Sequence, residues 1–460
     1  MTAADIPTPL ESAGYTRISS SAEVEDFLAR LAASAPRARH EIWGFSASGR
    51  PLSALYCAAL GEPALTLLLV GSHHGGSEPA GGEALLVLAR SLLLGALTPL
   101  RDRYTVIIVP NANPDGRDQG SNRNDAGVNL NRDYAWLSQP ESRAMNAGML
   151  RYRPDIVLDA HESAALKRRT LARAGYLTTF EAQLDYANNP AIAPSVQALA
   201  ENSVLAPWCA RVAARGLQAQ RYIREVHALD QPLTHGGTSI DNFRNKAGLL
   251  GSLAFLLETR LDPTDGHYPS YRNIAARVAK QYLCMCSFLE IIDAQGEVLA
   301  MQRRTRTAPL PDTAVALDAS YVPAAPPRTS VWLERIEDGA RVAVEFPDHR
   351  CLAAHPPMRL PRAYLLGTPT VALVDALAEH GLVSRRLGQG HCLVAAEPLT
   401  NAARQLPTVP QDVLEIPLTQ RDGVLAALLL EPASASRLVG RPAPHASLAD
   451  HADTAIWRLR

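Results

Sequence analysis

Seven predominantly apolar residues, Ala64-Leu65-Thr66-Leu67-Leu68-Leu69-Val70, run directly into Gly71-Ser72-His73-His74-Gly75-Gly76-Ser77-Glu78-Pro79. An apolar run of that length closed by glycine predicts a buried strand and a tight turn at its carboxyl end. Pro79 then opens a stretch in which Glu83, Leu85, Leu86, Leu88, Ala89, Leu92 and Leu93 recur at helical spacing, so the unit reads as strand, turn, helix. The same pattern returns along the chain. Residues 104–109 form a β-branched run closed by Pro110-Asn111-Ala112-Asn113-Pro114-Asp115-Gly116, and residues 155–158 lead into Asp159-Ala160-His161-Glu162. Residues 252–257 deliver Glu258-Thr259-Arg260. A capped helix start at 21–28, a strand at 52–60, a helical region at 194–216 and a long helix over 268–292 complete the first part. This alternation predicts an α/β fold with a mixed, mostly parallel central sheet and helices on both faces.

The pattern changes after residue 300. Residues 303–328 are rich in Arg, Pro and Ala, a linker composition, and beyond them short strands and a helix near 370–380 predict a smaller α+β or β-rich domain. The expected division is therefore 1–300, a linker at 301–330, and 331–460. His349, His355, His380 and His391 fall in separate segments there and read as surface histidines.

Composition narrows the chemistry. Forty-five basic against 46 acidic residues leave a net charge of −1, which removes any bulk attraction to nucleic acid or anionic membrane and favours a small neutral or mixed substrate. Cys57, Cys209, Cys284, Cys286, Cys351 and Cys392 have no Cys-x-x-Cys spacing and read as reduced, buried thiols. The first residues lack a basic region followed by an apolar stretch, which gives a cytoplasmic expectation.

The strand ends carry the candidate chemistry. In an open α/β sheet ligands bind at the carboxyl edge, and His74, Glu78 and His161 are all expected on that rim. Nitrogen and oxygen ligands with one open place are the usual set for catalytic zinc, and His73 competes with His74 for the first position. The loop after residue 116 carries Arg117, Arg123 and Arg132 among asparagines, a composition suited to gripping carboxylates. Glu258, at the end of an apolar strand, either pairs with Arg260 or a neighbour or acts as a base. A Gly-rich loop, Thr234-His235-Gly236-Gly237-Thr238-Ser239-Ile240-Asp241, permits close approach to a ligand.

In their order and spacing, the His-Glu turn, Asn113-Pro114-Asp115-Gly116, Arg123, Gly127-Val128-Asn129-Leu130-Asn131-Arg132-Asp133, Asp159-Ala160-His161-Glu162, the Gly-Gly loop and Phe255-Leu256-Leu257-Glu258-Thr259-Arg260 resemble the zinc carboxypeptidases of the carboxypeptidase A-like family. The resemblance spans roughly residues 50–295 and leaves the last third uncovered. It implies one zinc held by His74, Glu78 and His161, with Glu258 as general base and proton donor. It further implies Arg123 as the oxyanion-stabilising cation, Asn131 and Arg132 as the grip on a terminal carboxylate, and His235 and Ile240 at the substrate site. The implied substrate is a peptide or small amide with a free C-terminal carboxylate. The chain departs from the family in three places. Three residues, not two, separate His74 from Glu78; Asn129 stands where the family often has Asp; and the tyrosine expected before the Gly-Gly pair is absent, leaving His235, Tyr176 or Tyr186 as substitutes. Two other functions compete: a zinc-dependent N-acyl amino acid deacylase of the aspartoacylase or succinylglutamate desuccinylase kind, and a non-catalytic peptide or metal binder.

Overall fold

Alternate side chains of β3 (Thr66–Gly71) enter two different cores: Leu67 and Leu69 face one side of the central sheet, Leu68 and Val70 the other. Both sides are covered, which explains why the strand is apolar without interruption. The protein is described here by a computed structural model, whose described residues are 6–165, 170–261, 273–304, 312–387, 396–405, 413–442 and 451–460.

The central sheet has eight strands in the order β1-β2-β4-β3-β5-β9-β7-β8. They are β1 (Ala38–Phe45), β2 (Pro51–Cys57), β3, β4 (Thr105–Val109), β5 (Ile156–Ser163), β7 (Ala182–Tyr186), β8 (Ala219–Arg221) and β9 (Leu253–Arg260), with β6 (Tyr176–Thr178) outside this sheet. The middle strands β4, β3, β5 and β9 run parallel, β7 pairs parallel with β8, and β1, β2 and β7 supply the antiparallel joints. This is the mixed, mostly parallel sheet that the sequence predicts. Helices Ala80–Leu94 and Ile274–Ala294 pack against each other on one face. The long helix is described from Ile274, and residues 268–272, where the apolar pattern starts it, lie outside the described residues.

The opposite face is built differently from the sequence expectation. Its core joins Leu52, Leu68, Val70, Ile107 and Val157 with Tyr364, Leu366, Leu373, Ile416, Leu428 and Ile456, so the C-terminal third packs directly onto the central sheet. The segment read as a linker also carries structure, in β10 (Ala314–Val315) and β11 (Ala319–Val322). Its described prolines, Pro323, Pro326 and Pro327, fall between β11 and the next strand. Beyond it, β12 (Arg328–Arg335) and β13 (Arg341–Pro347) form a hairpin, and β12 pairs with β6 of the first part. A five-stranded sheet around Ala363–Gly367 completes the molecule.

Two smaller expectations change with the fold. His380 is fully buried, with Nδ1 2.5 Å from Lys246 Nζ and Nε2 3.0 Å from the Ala135 carbonyl; it is a core residue joining the two parts of the chain, not a surface histidine. Cys57 and Cys284 are buried thiols as expected, whereas Cys351 is exposed. His391 and Cys392 lie outside the described residues. No described helix is long and apolar enough to cross a membrane.

Candidate metal centre and cavity

Strand register places the candidate chemistry on one rim. Gly71 lies level with Ala160, and His161 lies opposite Glu258. The turn after Gly71 leaves the sheet through Ser72 at φ 58°, a left-handed conformation uncommon for a residue with a Cβ, followed by Gly75 at φ 50°. A buried network holds this turn. Arg117 donates to the Ser19 carbonyl at 2.7 Å and to Ser72 Oγ at 3.1 Å, and pairs with Glu83, which also accepts from Ser19 N and Oγ at 2.8 Å each. Arg117 is therefore a structural cation. A Cβ on Gly75 would come 2.4 Å from the backbone carbon of Gly116, so only glycine lets the His-Glu turn nest against the Asn-Pro-Asp-Gly segment.

Within that turn His74 Nδ1 lies 2.8 Å from Glu78 Oε1, and His161 Nδ1 lies 3.0 Å from Glu78 Oε2. The three residues offer two imidazole nitrogens and a carboxylate oxygen within 4.8 Å of one another. Burial pushes the Glu78 carboxyl up, but the charges and hydrogen bonds of His74 and His161 outweigh it and hold the group below the usual carboxylate range. His73, the competing ligand, points elsewhere: its ring is fully buried and both nitrogens are bonded, Nδ1 to Asp159 Oδ1 and Nε2 to Tyr134 Oη, each at 2.7 Å. The donor set around Glu78 is a fit for zinc, with both Nδ1 atoms converging beside an open cavity.

That cavity, about 270 Å³, is lined by His74, Glu78, Arg132, Tyr222, Glu258 and Arg260 at its polar end. Its far wall is apolar and comes from Leu171, Ile223, Leu233, Leu333 and Phe346, a buried cluster that combines both parts of the chain. Burial lifts the Glu258 carboxyl to about 8; Glu78 and Asp159 add to the lift, while His161 and Arg244 oppose it.

Several expected site residues do not line this cavity. Arg123 is exposed on its loop and donates to the Gly127 carbonyl at 2.7 Å, so the oxyanion role drawn from the resemblance has no geometric support here. Asn131 is used internally: its Oδ1 accepts from Phe243 N at 2.9 Å and its Nδ2 lies 3.3 Å from His161 Nε2. Ile240 is completely buried with its backbone N–H on Ser436 Oγ at 3.1 Å, and His235 is buried with Nδ1 2.6 Å from the Tyr222 carbonyl. Neither reaches the cavity wall. Of the described tyrosines it is Tyr222 that lines the cavity, whereas the sequence candidates His235, Tyr176 and Tyr186 do not. Tyr222 follows β8, and only the order β9-β7-β8 brings it near Glu258. Burial raises its phenol pKa and Glu258 raises it further, so it is a protonated donor at neutral pH. Tyr186 is committed to Glu201 at 3.1 Å.

Residues 24–282 match the model of the zinc carboxypeptidase family Peptidase_M14. The chain belongs to this family. Among its curated relatives, carboxypeptidase 2 of Trichophyton rubrum is 28% identical over 258 residues, covering 53% of this chain and 48% of that protein. Human carboxypeptidase D is 34% identical over 122 residues, 23% of this chain and 8% of that protein. The chain thus spans about half the length of the Trichophyton relatives it matches. Among solved structures, carboxypeptidase A from Helicoverpa armigera aligns at TM-score 0.49 and 16% identity, covering 62% of this chain and 75% of that one. The Pseudomonas aeruginosa metallo-carboxypeptidase aligns at 0.44 and 21%, covering 59% and 68%. Membership in this family implies zinc, and His74, Glu78 and His161 form a candidate group for a metal ion. The matched region ends before β10 and excludes the strands that complete the cavity wall.

Proposed function

We propose that this protein removes the C-terminal residue from a peptide or a small amide-linked conjugate, with His74, Glu78 and His161 holding one zinc ion and Glu258 acting as general base. One observation carries the reading: the two Nδ1 atoms and the Glu78 carboxylate meet at the mouth of a cavity that also contains Glu258, Arg132 and Tyr222. Zinc bound there supplies a charge that lowers the pKa of a water to about 7 and polarises the scissile carbonyl.

The chain's own groups do the remaining work. Glu258, a carboxylate on the cavity wall, takes a proton from the attacking water and returns it to the leaving amine. Arg132 grips the terminal carboxylate of the substrate by charge-assisted hydrogen bonds and so selects an end of a chain. Tyr222 donates its O–H to the same end of the substrate. The apolar wall of Leu171, Ile223, Leu233, Leu333 and Phe346 receives an apolar group of the substrate away from water.

The test is turnover of zinc-loaded protein on blocked dipeptides with free and amidated C-termini, run beside N-acyl aspartates. Cleavage confined to the free-acid dipeptides is expected. Cleavage of the N-acyl aspartates alone would replace this reading with the deacylase.

A further inference from the structure

The histidine beside His74 has a task of its own. His73, Asp159 and Tyr134 are buried to 1% exposure or less, and none of them lines the cavity. Asp159 Oδ1 lies 2.7 Å from His73 Nδ1, its Oδ2 lies 2.9 Å from His161 Nε2, and His73 Nε2 lies 2.7 Å from Tyr134 Oη. The rings of His73 and His161 are parallel within 10° at 5.9 Å.

Donor and acceptor roles along this chain follow from one end. Burial, with Asp159 adding to it, keeps the Tyr134 phenol protonated, so its O–H donates to His73 Nε2. His73 therefore carries its proton on Nδ1 and donates it to Asp159 Oδ1. The second oxygen of Asp159 faces His161 Nε2 at 2.9 Å as a close ionic contact outside hydrogen-bond geometry, and its charge favours the proton on that nitrogen, the tautomer that directs the lone pair of His161 Nδ1 at Glu78. Asn131 Nδ2, at 3.3 Å from the same Nε2, is itself a donor and makes no competing bond once that nitrogen bears hydrogen.

The other histidine lacks such support. His74 Nε2 is buried with no hydrogen-bond partner among the described residues, and Asn129, where the family often has Asp, spends its side chain on Asn131 N at 3.0 Å. We propose that Tyr134, His73 and Asp159 are positioning residues that hold His161 in its metal-binding tautomer and orientation. This rests on His74, Glu78 and His161 being the zinc ligands. His73 and Asp159 also come close enough to His161 to suggest a second cation group, but both His73 nitrogens are already used and the group has no face on the cavity.

Chelator competition on the full chain measures the consequence directly. Tyr134→Phe removes one oxygen and preserves the packing, and is expected to weaken zinc several-fold; Asp159→Asn should weaken it by about 10–100-fold. Nitrogen NMR of the zinc-loaded wild type should show His161 protonated at Nε2 and metal-bound at Nδ1, with that Nε2 signal displaced in Asp159→Asn. His161→Ala serves as the control for the ligand reading. Wild-type affinity in both Tyr134→Phe and Asp159→Asn, alongside zinc loss in His161→Ala, overturns the positioning chain and leaves the ligand set standing. Zinc retained at full affinity in His161→Ala overturns the ligand set and the positioning chain with it.

Discussion

Leu333 lies opposite Thr178 in the antiparallel pair of β12 with β6, and both residues line the cavity that contains Glu258. A residue outside the family-matched region thus closes the cavity of the matched one. Leu333 is completely buried, so Leu333→Ala should cost about 2–5 kcal/mol of stability in a denaturant titration. The same variant should change the ranking of substrates that differ in an apolar side chain. Lost stability with an unchanged ranking would make this wall structural only.

Glu258→Gln keeps the shape of the side chain and removes its basicity. Turnover should fall by about 10²–10⁴-fold while zinc content stays at one per chain. Activity within a few-fold of wild type removes Glu258 from the proton transfers.

Metal-free protein should also lose stability as pH rises, through Glu258. Its carboxyl is lifted to about 8 in the fold from a model value of 4.5, so between these values the native state holds a proton that the unfolded chain has released. The native state binds more protons, and the contribution to stability falls with pH, by at most about 1.4 kcal/mol per pH unit for one group. The slope should shrink in Glu258→Gln over pH 5–8. Lys246, pushed down by burial to about 7, acts with the opposite sign mainly above pH 7 and is common to both proteins. Identical slopes would mean that Glu258 is ionised in the metal-free fold.

Amidating the substrate's C-terminus should abolish cleavage if Arg132 grips a carboxylate, at a cost of roughly 2–5 kcal/mol in kcat/KM. Arg132→Ala should lower kcat/KM on the free acid comparably and leave the poor amide nearly unchanged, the non-additivity expected of one shared contact. Equal rates on acid and amide in the wild type would leave an amidase without end selection.

Tyr222→Phe should reduce kcat/KM by about tenfold, the scale of one lost hydrogen bond of about 1–1.5 kcal/mol. Tyr186→Phe, whose hydroxyl serves Glu201, should leave kcat/KM unchanged. The reverse result would return Tyr186 to the substrate site.

The order of motifs along the chain carried the family, and the physical reason is local. An apolar run ended by Gly71, Pro110, Asp159 or Glu258 is a strand delivering its last residue to a rim, and parallel strands in one sheet share that rim. His74, Glu78, His161 and Glu258 could be placed on one rim for this reason: each follows such a run, and strand register brings the runs level. Asn131, Ile240, His235 and Arg123 lie on loops, where sequence spacing does not determine direction. Their side chains or backbone went instead to Phe243, Ser436, Tyr222 and Gly127. Tyr222 and Leu333 had no local signal at all, because their positions depend on which strands pair: β8 beside β7, and β12 beside β6. The choice between His73 and His74 is of the same kind. Two adjacent histidines are equivalent in sequence, and they were separated by a left-handed Ser72, which turned one ring toward Glu78 and buried the other against Asp159 and Tyr134. The chain by itself thus determined which residues end strands, since hydrophobic periodicity is a local property; the tertiary structure alone decided which of the loop residues meet them, since that depends on contacts between segments far apart in sequence.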